Sequence, residues 1–230
     1  MNLVKELESV SEELSRRVDE VPLLRRLFGG AIGEEEMVVF LVQTYHYVRW
    51  TQPLLVEAAT RLSALGAPPM WARLFTEKSR EEHKHDAWAV ADAGKLGWSD
   101  VDVLSTLASP AVDAYVAYNR AIVRGNHPLS YLGTAWALEK LALDRAGRAC
   151  AGLKASESAR LAKATLFLRG HAEEDVGHVA ELSRLLGAVS DPRDKAGIVT
   201  AARATAELYP AFFDVAYEEL DAQRRARAAA

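Results

Sequence analysis

The chain has 230 residues, half of them hydrophobic, a formal net charge of −4 and one cysteine, Cys150. That length suits one domain, residues 1–230, around one core. A single cysteine excludes an internal disulfide and fits a reducing compartment, and the mild acidity argues against a nucleic-acid partner. No apolar run reaches the ~20 residues that a membrane helix needs, and the start Met1-Asn2-Leu3-Val4-Lys5-Glu6 lacks signal-peptide character. A cytoplasmic protein is expected.

The apolar period is helical almost throughout, and no segment alternates as a strand would. Helices are expected over roughly 2–18, 21–29, 34–64, 69–95, 110–124, 129–150, 157–187 and 193–226. The second is short enough to merge with the first as a kinked unit. The breaks carry Gly29-Gly30, Gly66-Ala67-Pro68-Pro69, Gly97, Ser109-Pro110, Gly125-Asn126-His127-Pro128, Gly152 and Ser190-Asp191-Pro192. Pro53 and Pro210 fall inside helical patterns and should kink or interrupt them. Short connections between long helices imply antiparallel neighbours, so the expected class is an all-α bundle of seven to eight helices.

The third segment contains His46 between Tyr45 and Tyr47, followed by Arg49 and Trp50. A histidine so placed is either a hydrogen-bonded core residue or a ligand. Glu57 lies on the same face, about two turns on, and is expected to pair with Lys78. The fourth segment contains Glu81-Glu82-His83-Lys84-His85-Asp86. Glu82 and His85 form E-x-x-H, which puts both on one helix face; this i, i+3 pair is the unit that di-iron carboxylate bundles use. The stripe runs Phe75, Lys78, Glu82, His85, Trp88 or Ala89, Asp92, Leu96, whereas His83 points to the other side, toward solvent, and Glu81 leans toward solvent. In the sixth segment Glu139 has apolar neighbours at Ala135, Trp136, Ala142 and Leu143. A carboxylate in that setting is neutral, paired or metal-bound.

The seventh segment is the most informative. His171, Asp175 and His178 are spaced H-x₃-D-x₂-H, and the stripe continues as Leu168 above and Leu182 and Leu185 below. Two imidazoles and a carboxylate in a core-facing stripe are costly unless a cation satisfies them together. These are ligands of iron, manganese or zinc rather than calcium. The competing view is a solvated patch on an exposed helix. The break near residues 152–157 folds the sixth segment back on the seventh, which sets His171 level with Glu139.

The order E-x-x-H, a lone Glu, then H-x₃-D-x₂-H on an all-helical chain resembles the haem-oxygenase-like di-iron oxidases and oxygenases. These share their fold with thiaminase II and pyrroloquinoline-quinone synthase. The segments 40–48 and 81–97 are also similar to that superfamily, and the likeness covers roughly residues 33–187. It implies a single haem-oxygenase-like bundle holding two non-haem iron ions, Fe(II) or Fe(III), that activate O₂ on a small carboxylate-bearing metabolite. Amino acids and fatty acids are the substrate classes implied, and oxidative C–C cleavage, desaturation and N-oxygenation the reactions. Matched residue by residue, His85, Glu139, His171, Asp175 and His178 would be ligands. The sixth is Glu82 or, in reserve, Glu81, with His46 or Glu57 behind them. Some members carry a carboxylate where this chain has Lys78.

Candidate groups for the substrate carboxylate are Arg49, Arg169 and Lys78, and candidate pocket walls are Tyr45, Tyr47, Trp50 and Trp136, with His46 close by. Haem is disfavoured, because no histidine precedes His46. Two rivals remain. One is a cofactor-independent or hydrolytic enzyme of the same fold, for which Cys150 is poorly placed as a nucleophile. The other is a non-catalytic helical protein with a structural metal. The chain is expected to need no membrane and no nucleic acid; a homodimer is compatible with it.

Overall fold

In the computed structural model, residues 2–125 and 127–229 are described, except for the side chains of Glu174, Asp175, Val176 and His178. Helix α1 (Leu3–Glu20) shows how the local rules operate. The Asn2 side chain caps it by accepting from the Lys5 N–H, and its stripe Leu3, Leu7, Val10, Leu14, Val18 is buried. It does not merge with α2 (Pro22–Gly29). Val21 is extended, as the residue before a proline tends to be, and Pro22 opens the next helix.

The remaining helices are α3 (Glu34–Val48), α4 (Thr51–Ala64), α5 (Pro69–Glu81), α6 (His85–Lys95), the short α7 (Asp100–Ser105), α8 (Pro110–Arg124), α9 (Tyr131–Lys154), the short α10 (Ala159–Lys163), α11 (Leu166–Leu186) and α12 (Pro192–Ala228). Among the described residues there is no strand, so the all-α reading holds. The helix count differs. Among the described residues ten helices have eight or more residues, against the seven to eight expected, because two long segments are each divided.

The first division, at Arg49-Trp50, has a sequence cause. Pro53 has no N–H to offer the Arg49 carbonyl, and its ring excludes that carbonyl from the helix. The chain therefore restarts as α4 with Pro53 in its first turn. The second, at Glu82-His83-Lys84, carries neither glycine nor proline. Lys84 takes a left-handed conformation there, φ 69°, which is costly for a side-chain-bearing residue. Pro210 behaves differently again: α12 runs through it.

Helix α9 is packed against α1, α2, α11 and α12, and α6 lies on α3 and α11. Gly133 lets α9 and α12 approach closely. A Cβ there would stand 1.9 Å from the Ile198 carbonyl oxygen. Asp92, fully buried on α6, accepts from the Phe167 N–H at 2.9 Å and from Lys95 Nζ at 2.6 Å. It thereby caps the start of α11 with a carboxylate, which suits the positive end of the helix dipole. Among the described residues no helix is long and apolar enough to cross a membrane.

Candidate metal centre

Four helices supply the site. Glu82 is the residue just after α5, His85 opens α6, and Glu139 and His171 sit in the first halves of α9 and α11. The break at 82–84 separates Glu82 from His85, so the pair is not on one continuous helix as the spacing predicts. The two side chains still meet, with Glu82 Oε2 3.1 Å from His85 Nδ1. Ligand atoms of Glu82, His85 and His171 lie within 4.8 Å of one another, a separation that small side-chain rotations close around one cation.

The geometry of the imidazoles is set by their neighbours. His171 Nδ1–H donates to the Phe167 carbonyl at 2.8 Å, which fixes the tautomer and leaves the Nε2 lone pair as the one a metal could take. His85 stacks on Trp88 with ring centroids 3.9 Å apart, and His171 meets Trp88 edge-on at 5.8 Å. Gly170 makes room for this indole: a Cβ there would lie 2.4 Å from it.

Burial alone would raise the Glu82 carboxyl, but the His85 hydrogen bond and the charges of His171, His85 and Lys78 outweigh it and hold Glu82 below the ordinary carboxylate range. Glu82 is therefore an anion at neutral pH. Burial would likewise lower Lys78, but the charge and hydrogen bond of Glu139, with Glu81 behind it, raise it above the usual lysine value. Lys78 Nζ is 2.9 Å from Glu139 Oε1 and 3.5 Å from Glu81 Oε2.

A cavity of about 100 Å³ adjoins the cluster. Lys78, Glu82, Glu139 and His171 line it, which agrees with the level placement of His171 and Glu139 expected from the hairpin. Most of the remaining wall is apolar, including Phe28, Phe40, Leu55, Leu138 and Leu168. Tyr47, Tyr131 and Tyr209 also line it, and burial raises all three hydroxyls, so they stay protonated.

Several expected residues are elsewhere. His46 does not face the cavity: its Nε2 lies 2.9 Å from Thr106 Oγ1, whose own hydrogen goes to Val103 O, so the imidazole donates. Burial and the Arg49 charge lower its pKa, against the opposing charge of Asp113, which keeps it neutral. Arg49 is exposed over the rings of Tyr45 and Trp50. Tyr45 and Trp136 are buried but do not line the cavity, and the Trp136 indole donates to Ser11 Oγ at 3.1 Å. Arg169 is exposed. Glu57 pairs with Arg124 at 2.8 Å rather than with Lys78, which turns inward to Glu139. Glu81 and His83 are exposed, as expected. The side chains of Asp175 and His178 lie outside the described residues.

Arg145, which helical spacing turns away from the face of Glu139, also lines the cavity. Its Nη2 holds Asp19 at 2.6 Å, and its buried Nε has no hydrogen-bond partner among the described residues. Six residues beyond Glu139 on α9, it falls outside that residue's i±3 and i±4 neighbourhood, and only the packing of α1 and α9 turns it to the cavity. Cys150 is buried, donates its thiol to Thr165 O at 3.7 Å, and has its pKa raised chiefly by burial. It does not line the cavity.

An all-helical bundle with a histidine–carboxylate cluster beside an apolar cavity is an arrangement that could hold a metal ion. The model of one family, described as an iron-containing redox enzyme, matches residues 38–210, and the chain belongs to that family. No curated protein matches the chain by sequence. Among solved structures, it superposes on a domain of unknown function with a haem-oxygenase-like fold from Shewanella denitrificans OS217 (TM-score 0.83, 18% identity, covering 97% of this chain and 95% of that one). A TenA homologue from Pseudomonas syringae pv. tomato DC3000 gives TM-score 0.77 at 15% identity, with 94% and 93% covered. A TenA homologue from P. horikoshii OT3 gives 0.73 at 15%, with 95% and 99% covered. At these identities the likeness establishes the haem-oxygenase-like fold.

Proposed function

We propose that this protein is a non-haem iron oxidase or oxygenase that uses O₂ on a small carboxylate-bearing substrate. The observation that carries the proposal is the Glu82–His85–His171 cluster opening on an apolar cavity. Two imidazoles and a carboxylate form a donor set suited to iron, and the family is one of iron-containing redox enzymes. In this reading one ion is held by Glu82, His85 and His171, and a second by Glu139 together with Asp175 and His178.

Bound iron would supply the redox equivalents for reducing O₂. The chain's own residues do the rest. Glu82 contributes negative charge that offsets that of the cation. The Phe167 carbonyl holds His171 in the tautomer whose Nε2 binds metal, and Trp88 fixes the plane of His85. The wall of Phe28, Phe40, Leu55 and Leu168 keeps water from the reacting centre. The Nε–H of Arg145 is the donor a substrate carboxylate would take, since Arg49 and Arg169 are not at the cavity.

The hydrolytic alternative draws on the TenA-like neighbours. A thiol nucleophile for it would have to be Cys150, and a buried thiol with a raised pKa outside the cavity is badly suited to attack.

The test is anaerobic Fe(II) titration of the metal-free protein, followed by O₂ exposure with oxygen uptake recorded. His85→Ala and His171→Ala are each expected to lose most of the bound iron and of the O₂ uptake. Iron loading that both variants leave unchanged would reject the ligand assignment. Failure of the unmodified protein to bind Fe(II) would reject the function.

A further inference from the structure

Lys78 is 3% exposed, held in α5 by a row of buried residues that includes Trp71, Leu74 and Phe75. Its ammonium touches two carboxylates of different character. Glu139 is buried in the site, 2.9 Å away; Glu81 is one turn along the same helix, 3.5 Å away, with a side chain 38% exposed. A metal ion taken up by Glu139 and an ammonium resting on the same carboxylate are like charges competing for one anion in a poorly screened place. Lysine is suited to yield, because its charge sits at the end of four rotatable carbons and can swing without moving the backbone. Glu81, at i+3 on the same face, is already within reach.

We infer that Lys78 is a resident cation competing with the second metal ion for Glu139, and that Glu81 receives its ammonium when that ion binds. The inference rests on the proposed two-ion site. The first ion's cluster, Glu82, His85 and His171, does not use the carboxylate that Lys78 holds. Loading is therefore stepwise: one ion binds tightly, and the second binds more weakly because it must displace a charge already in place. Lys78 is a positioning residue in this scheme. It sets when the second ion enters, and it returns to Glu139 when that ion leaves, so that the buried carboxylate keeps a counter-charge.

The experiment is a Mn(II) titration of the full-length metal-free protein. Loss of the free six-line electron paramagnetic resonance signal gives the stoichiometry, and growth of a spin-coupled signal reports the pair. The unmodified chain is expected to take one ion tightly and a second with affinity at least about tenfold weaker. Lys78→Met keeps the apolar stem and removes the charge; it is expected to strengthen the second step by about tenfold and leave the first unchanged. Lys78→Arg keeps the charge and keeps the second step weak. Glu81→Gln, at an exposed position that does not threaten folding, removes the receiving carboxylate and should weaken the second step further. A spin-coupled pair formed in one tight step by the unmodified chain overturns the inference. So does a second step equal in the unmodified chain, Lys78→Met and Glu81→Gln. If the unmodified chain binds no Mn(II) tightly, the two-ion site itself fails, and this inference with it.

Discussion

Gly170 and Cys150 show how single positions serve or lie outside the site. Gly170 is the residue whose missing side chain admits Trp88, and Trp88 is the plate on which His85 stacks. Gly170→Ala forces the indole to move or α6 and α11 to separate, an overpacking that costs about 1–3 kcal/mol. The expected outcome is a lowered melting temperature together with reduced Fe(II) occupancy. Normal iron loading in a destabilised variant would mean that Trp88 does not position His85. Cys150 is the contrasting case. Cys150→Ala removes a buried thiol and should cost about 1–2 kcal/mol while leaving iron binding and O₂ uptake intact. Loss of turnover with stability maintained would instead favour nucleophilic chemistry.

At the scale of elements, the bundle is clamped where α2, α3 and α12 meet. Glu36, 2% exposed, caps the Gly33 N–H at 2.8 Å and takes Arg26 at 2.9 Å and Arg224 at 3.1 Å. Burial would raise this carboxyl, but the Gly33 N–H and the two guanidinium groups outweigh it and hold Glu36 below its ordinary pKa. A carboxylate whose folded-state pKa is lowered stabilises the fold fully above its unfolded value, near 4.3, and that contribution is lost as pH falls through the folded value. Glu36→Gln should therefore cost about 1–3 kcal/mol at pH 7. It should also flatten the acid limb, so that the melting temperature of the unmodified chain falls more steeply below pH 5 than that of the variant. Parallel acid limbs would show that Glu36 does not contribute to the pH dependence. The two divided segments belong to this scale as well. The α3–α4 break follows from Pro53. The α5–α6 break follows from no residue type; beyond it His85 and Asp92 are buried, and α6 packs on α3 and α11.

For the whole molecule, the decisive feature is how the helices place two acids, an imidazole and an ammonium around one cavity, with the His85 imidazole against Glu82 beside it. The hairpin of α9 and α11 sets Glu139 and His171 level, and the α5–α6 break turns His85 back toward Glu82. Each part is marginal alone: buried carboxylates and imidazoles destabilise a core unless they satisfy one another or a cation. Binding of metal to the folded state alone should then raise the melting temperature in a concentration-dependent way. The iron titration and the Mn(II) titration of the Lys78 variants both operate at this scale, since each measures groups brought together from different helices.

Helical periodicity in the sequence was enough to determine the all-α class and most element boundaries, because a stripe such as Leu7, Val10, Leu14, Val18 has no other way to bury itself. The same local pattern marked Glu82, His85, Glu139 and His171, since charged groups in core-facing stripes demand a reason. Which cation accompanies Glu139, which arginine faces the cavity and which histidine only packs were decided by tertiary structure. Lys78 pairs with Glu139 and not Glu57, Arg145 lines the cavity in place of Arg49 and Arg169, and His46 turns to Thr106. The physical reason is common to all three. Helical spacing places a side chain on a face, whereas its partner depends on which neighbouring helix covers that face and at what level.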